Sequence, residues 1–191
     1  MVITHSYIGT VLGTARYSFY VLYEDYIDAQ SGFVRNLEPS LERFARKIKH
    51  DGAVVKPFMG DIETTRTQIL NKPWTERELS QIHKTPGFLV IDKDFADFDP
   101  RKHRWLYLNF GNRLEDRSAS NQVAPGEYED VLNRLADIVL DPNRDLFKEA
   151  LPIMRKLKLE QVVEIFEARP EVFGFSVDLK RAAKLLLESF R

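Results

Sequence analysis

The sequence contains no cysteine. Disulfides, thiolate zinc sites, iron–sulfur clusters and cysteine nucleophiles are therefore excluded, because each needs a sulfur that this chain lacks. An excess of charge of either sign is also missing: 28 Lys plus Arg against 29 Asp plus Glu leave a net charge of −1 over 191 residues. Without a bulk field, any contact with nucleic acid or an anionic membrane has to be local. No apolar run approaches the ~18 residues of a membrane span. The opening MVITHSYIG has no basic stretch followed by an apolar one, so a cytoplasmic chain with no membrane contact is expected. Glycine and proline are sparse, nine of each, which excludes collagen-like and low-complexity chains. What is present is ordinary globular material, 43% hydrophobic and 30% charged, at a length expected for one domain or one domain with a helical extension.

Period-two alternation places Tyr17, Phe19, Val21 and Tyr23 on one face of an extended segment and Ser18, Tyr20, Leu22 and Glu24 on the other. Both faces carry apolar residues, which predicts a central strand. Residues 7–12 are also strand-like, and Gly13-Thr14-Ala15-Arg16 predicts a turn that pairs them with it as a hairpin. Leu37, Leu41, Phe44, Ala45 and Ile48 recur at helical spacing and predict a helix over 37–49, with Gly52 as its left-handed cap. Residues 53–59 read as a strand whose end or edge position is marked by Pro57. Asp61 can cap a short helix to about Leu70, and Thr75 with Glu78 has capping-box spacing, which starts another helix. The run Phe88-Leu89-Val90-Ile91 is continuously apolar, as a strand covered on both faces is, and residues 104–110 supply one more strand.

Strands separated by helical segments define an α/β fold with a mixed sheet of about four to five strands and flanking helices. Residues 1–111 are expected to form this sheet domain, the polar residues 112–125 a linker or loop, and residues 126–191 a C-terminal helical part packed on the sheet. In that last part the stripe Tyr128, Val131, Leu132, Leu135, Ile138 and Val139 ends at Asp141-Pro142, and Leu146, Phe147, Ala150 and Leu151 begin another. Further stripes fall within 159–166 and 179–190. So many apolar stripes against a sheet of modest size predict that one is left over for a partner, either another protein or a second copy of the chain.

Chemistry-bearing residues concentrate in IDKDFADFDP, where Asp92, Asp94, Asp97 and Asp99 follow the apolar strand. Carboxylate oxygens in this number suit a hard cation such as Mg²⁺. Asp92 and Asp94, two apart on an extended backbone, face the same way. An EF-hand loop is excluded because Asp97 occupies the position that needs glycine. The plainer alternative is an acidic loop neutralised by Arg101-Lys102-His103-Arg104. Glu24 ends the first aromatic strand, so if that strand and 88–91 are parallel, Glu24 and Asp92 emerge at the same end of the sheet.

In these three acids the chain resembles the Toprim nuclease and topoisomerase domain. The resemblance implies Glu24 as general acid/base, Asp92 and Asp94 as Mg²⁺ ligands, and phosphodiester chemistry on nucleic acid; Asp25 stands where that domain usually carries glycine. A second resemblance is to the latter half of a thioredoxin-like fold, carried by Thr85-Pro86 ahead of 88–91, strand 104–110 and a following helix. It implies a cis-proline before a hairpin and, without cysteine, a binding scaffold with no redox activity. Among X–Pro bonds at large, trans is the commoner state.

Elsewhere, Gly9-Thr10-Val11-Leu12-Gly13 lacks the lysine of a phosphate loop, the histidines form no His-x-x-x-His pair, and no serine sits in a Gly-x-Ser-x-Gly elbow. The sequence therefore points first to a binding or regulatory domain acting through protein–protein contact, with no cofactor. It points second to a Mg²⁺-dependent phosphodiesterase using Glu24, Asp92 and Asp94. Residues 112–125 are polar and reach the ~12–15 residues at which loops become mobile. Limited trypsin digestion should accordingly cut first at Arg113 or Arg117, and first cleavage at Arg43 would displace the boundaries.

Overall fold

A computed structural model describes residues 3–4, 15–24, 26–49, 51–57, 60–83, 85–109 and 125–150. Strands β1 (Ile3–Thr4), β2 (Tyr17–Leu22), β3 (Gly52–Val55), β4 (Gly87–Ile91) and β5 (Trp105–Asn109) form one mixed sheet in the order β1-β3-β2-β4-β5. The first three run parallel, β4 is antiparallel to β2, and β5 is antiparallel to β4.

The alternation read in the sequence sets the layers. Tyr17, Phe19, Val21 and Tyr23 join one core with helices α1 (Asp28–Ile48) and α4 (Pro125–Leu140). Tyr20 and Leu22 point the other way, into a second core with Ile69 of α2 (Ile62–Leu70), Ile82 of α3 (Glu76–Ile82) and the loop aromatics Phe95 and Phe98, while Ile62 at the start of α2 joins the first core. The hairpin β4–β5 divides in the same manner, with Phe88, Val90, Leu106 and Leu108 in the first core and Leu89, Ile91, Trp105 and Tyr107 in the second. The result is a sheet covered on both faces. The α4 stripe, including Val131, Leu135, Ile138 and Val139, is buried in the sheet domain's own first core. Leu146, Phe147 and Ala150 of the helical segment 146–150 are buried there as well. These two stripes are spent on the fold, and the stripes at 159–166 and 179–190 lie outside the described residues.

Several elements differ from the sequence expectation. α1 starts at Asp28 rather than at residue 37, and Pro39 lies inside it without ending it. The buried stripe Gln30, Val34, Leu37, Leu41, Phe44, Ala45 and Ile48 runs straight through. Pro39 and Arg35, whose carbonyl loses its intrahelical donor, are both on the exposed side, where water can replace the missing bond. The left-handed residue after α1 is Lys49, at φ 47°, and not Gly52. Gly52 begins β3, where a Cβ would fall 2.6 Å from Ile48 Cδ1, so glycine there permits the close approach of strand to helix.

Both edges of β2 are taken by β3 and β4; residues 7–12, expected as its hairpin partner, lie outside the described residues. Pro57 follows the end of β3, as a residue without a ladder donor should. Thr75 and Glu78 make the full capping box at the start of α3. Asp61 stands at the N-cap of α2 but makes no side-chain cap bond there. The polar stretch expected to reach 125 gives way at Pro125, the first residue of α4.

The Thr85–Pro86 bond is cis and leads into the β4–β5 hairpin. Together with the parallel β2–α1–β3 unit, this agrees with the thioredoxin-like resemblance. The Toprim-like order needed β2 and β4 to be parallel, and the antiparallel register, from Ser18 opposite Ile91 to Leu22 opposite Gly87, contradicts it.

Gly87 lies directly under Tyr107. A Cβ at Gly87 would run into the phenol ring and sit 2.7 Å from the Leu108 carbonyl oxygen. Tyr107 is buried and the carbonyl belongs to a strand, so neither can yield easily. Gly87→Ala should cost ~1–3 kcal/mol, whereas Gly52→Ala, which meets chiefly the flexible end of Ile48, should cost less. Urea midpoints compare the two; equal losses would mean that Tyr107 moves freely away from β4.

Candidate functional site

Strand direction decides the fate of the acidic triad. Glu24 follows the carboxyl end of β2 and Asp92 follows the carboxyl end of β4, and because these strands are antiparallel the two residues emerge at opposite ends of the sheet. At a rise of ~3.3 Å per residue, the length of β2 alone separates them by roughly 20 Å. One ion binding oxygens at ~2.0–2.6 Å cannot bridge that gap. Among the described residues no group of three or more His, Asp or Glu is placed to hold a metal. Glu24 and Asp92 are therefore not brought together into the Mg²⁺ centre expected of Glu24, Asp92 and Asp94.

Glu24 and Asp92 each have an arginine instead. Glu24 Oε1 lies 2.9 Å from Arg66 Nη2, with the two side chains only 11% and 17% exposed. Tyr26, 70% exposed, donates its hydroxyl to Glu24 Oε2 at 2.7 Å, and this bond pushes the phenol up from its ordinary range. Gln30 Oε1 accepts the Glu24 N–H at 2.9 Å, which ties the residue to the first turn of α1. Arg66 also approaches His83 Nδ1 at 3.3 Å, and its Nε is buried without a hydrogen-bond partner among the described residues.

The acidic loop is neutralised by the basic run that follows it. Asp99 accepts from the Arg101 N–H at 2.9 Å and from Arg101 Nε at 3.2 Å, while His103 Nδ1 accepts the Asp99 N–H at 2.9 Å. Lys72 secures the loop from α2's far end by donating to the Phe95 carbonyl at 2.8 Å. Asp94 lies near Tyr20, whose phenol is pushed far up by burial and, to a lesser degree, by that carboxylate.

At the Asp92 end the sheet opens into a cleft of about 460 Å³, lined among others by Arg16, Tyr17, Asp92, Arg104, Arg144 and Asp145. Its walls are the start of β2, the end of β4, the start of β5 and the turn between α4 and segment 146–150. Arg104 organises it. Its Nε donates to Asp92 Oδ2 at 2.9 Å and its Nη1 to Asp145 Oδ2 at 2.7 Å. The guanidinium also lies 4.8 Å from the Phe147 ring centroid, a cation–π distance. Asp145 uses its other oxygen to accept the Phe147 N–H at 3.0 Å, which makes it the N-cap of segment 146–150.

Arg16 faces no carboxylate among the described residues. It donates to the Asp141 and Arg144 carbonyls, at 3.2 and 2.9 Å, where α4 has just ended and a cation offsets the helix dipole. It also donates to the Tyr17 hydroxyl at 3.1 Å, and the Leu146 N–H donates to the same oxygen at 3.3 Å.

Of the residues singled out in the sequence, the cleft gathers Asp92 and leaves out Glu24. Arg16, Tyr17, Arg104 and Asp145 were missed as a site because more than a hundred residues of chain separate the first of them from the last. The one local signal was Asp145, two residues before the buried Phe147, which is N-cap spacing.

In comparison with known proteins, the chain matches no family model, no curated protein and no solved structure.

Asp99 gives a pH test of the loop. Hydrogen bonds from the Arg101 side chain and N–H hold its carboxyl at about 2, below the ordinary 3.8. A depressed acid stabilises the fold above its unfolded value, and that contribution is lost as pH falls through the folded value. A carboxyl NMR titration should place Asp99 near 2, and Arg101→Met, which keeps the backbone N–H bond, should raise it part of the way toward the ordinary range. An unchanged midpoint in the variant would remove Arg101 as the cause.

Proposed function

We propose that the chain is a non-catalytic binding or regulatory domain that meets a partner protein at the Arg16–Arg104–Arg144 cleft. One observation carries this: the acids best suited to catalysis are each committed to an arginine of the same chain, Glu24 to Arg66 and Asp92 to Arg104. Neither is left to ligate a metal or to shuttle a proton. The cleft, by contrast, has a volume within the ~300–1,000 Å³ range of ligand sites and is rimmed by side chains with hydrogen-bonding capacity to spare.

The contact we propose is polar at its centre. Among the described residues the large hydrophobics exposed to solvent are Tyr26 and Leu140, which do not make the apolar patch expected from a leftover stripe. Arginine is enriched at protein interfaces because its planar fork pairs with carboxylate or phosphate while its stem and face pack on carbon. A partner could be another protein or a second copy of the chain.

A photocrosslinking amino acid at Asn143, exposed on the cleft rim, tests the proposal. In cells it should give one discrete adduct, while the same group at Thr64, exposed on α2 on the other face of the sheet, should give none. An adduct at twice the chain mass would identify self-association. No adduct at Asn143, or equal adducts at both positions, would overturn the proposal.

A further inference from the structure

We infer that the cleft recognises an oxyanion, a carboxylate or a phosphate carried on a peptide segment, at a point framed by Arg16, Tyr17 and Arg104. This rests on the cleft being the contact site and adds the chemistry of what enters it.

A count of donors and acceptors supports the inference. A guanidinium offers five N–H groups and accepts nothing. Arg16 spends its bonds on two carbonyls and the Tyr17 oxygen, and Arg104 on Asp92 and Asp145. Each therefore keeps N–H groups with no partner among the described residues. Tyr17 oxygen accepts from both Arg16 and Leu146, so its own O–H remains to be donated. Arg144 adds another guanidinium, held at the rim by Glu149 through a 2.8 Å bond from its Nε. The spare groups facing the cleft are thus mostly donors. The ligand that satisfies them is rich in acceptors, and a planar or tetrahedral oxyanion is the group that takes several N–H donors at once.

Placement agrees with this count. Tyr17 is buried and fixed, with its ring edge-on to Phe147 at 5.6 Å between centroids. Arg104 is held by two carboxylates and by Phe147, so its fork is positioned before any ligand arrives. The cleft is larger than a single phosphate or carboxylate needs, which leaves room for the residues flanking the anion in an extended segment. Three arginines line the cleft against two aspartates, and Glu149 pairs with Arg144 beside it, so the pull on an arriving anion comes from Arg16, which faces no carboxylate among the described residues.

The experiment follows backbone amides and arginine Nε–Hε resonances of the full chain in a ¹⁵N-labelled sample. Inorganic phosphate and acetate are titrated separately, at constant ionic strength in chloride. We expect saturable shifts centred on Leu146, Arg16 and Arg104, with Kd of about millimolar for such small probes. Tyr17→Phe should weaken binding by about tenfold, the loss expected for one hydrogen bond to a charged group. Arg144→Gln, at the rim, should weaken it without disturbing the sheet resonances, and so covers the event that Tyr17→Phe unfolds.

Phosphate saturating alone would mark the partner group as phosphorylated; saturation by acetate as well would admit acidic side chains or a C-terminal carboxylate. Shifts that follow total salt and are the same in chloride would overturn the inference. Saturable anion binding without an adduct at Asn143 would keep the oxyanion site and remove both its peptide carrier and the partner-protein proposal. An adduct at Asn143 without anion binding would do the reverse.

Discussion

Both faces of β2 have to be buried, and the rest of the molecule is arranged to do it. A strand that carries Tyr17, Phe19, Val21 and Tyr23 on one side and Tyr20 and Leu22 on the other cannot sit at a solvent-facing surface without large cost, at roughly 25 cal/mol for each Å² of apolar area. It therefore takes the middle of the sheet, with α1 and α4 over one face and the end of α2, α3 and the loop after β4 over the other. Its neighbours follow from chain connectivity. The crossover through α1 makes β3 parallel, and the remaining edge of β2 is filled by β4 running the opposite way. That reversal sends Glu24 and Asp92 to opposite poles and gives each pole its own arginine.

How much of this was legible in the sequence depended on the range of the interaction. Period-two alternation in 17–24, the Thr75–Glu78 capping box and the apolar run 88–91 are local patterns, and each names its element directly. The first part of α1 escaped because its buried stripe before Leu37 holds only Gln30 and Val34, too few apolar residues to show a helical period. Only the stripe through Val34, Leu37 and Leu41 reveals that the helix continues and keeps the proline on its outer side. Gly52 looked like a cap because a glycine after a helix fits two needs, a left-handed turn or a close approach, and Ile48 makes it the second.

Strand direction was the decisive illegible quantity. Nothing in residues 17–24 or 87–92 states whether the two strands run parallel, since hydrophobic alternation is the same in either case and the ladder is formed by backbone groups that every residue carries. The acidic triad was therefore readable as a set of residue types and unreadable as a site. The cleft at the other pole had the opposite difficulty. Its arginines and aspartates come from both ends of the described chain and meet only after the sheet and α4 have packed, so no window of sequence contains them.

The electrostatics are local in the same sense. Net charge is near zero, and the partly buried charges are matched in pairs: Glu24 with Arg66, Asp92 and Asp145 with Arg104, Asp99 with Arg101. Pairs of this kind contribute little stability where they are exposed, and where they are buried their worth lies in fixing geometry. Arg16 differs, since it is anchored by carbonyls at the end of α4 and by a phenol.

Arg104 has a mechanical consequence. One planar group is fastened at once to the end of β4 through Asp92 and to the first turn of segment 146–150 through Asp145. With the Arg16 bonds to the Asp141 and Arg144 carbonyls and the Leu146 N–H bond to Tyr17, it works as a rivet through an otherwise apolar seam between sheet and helix. The joint therefore favours a sheet and a helix that move as one body.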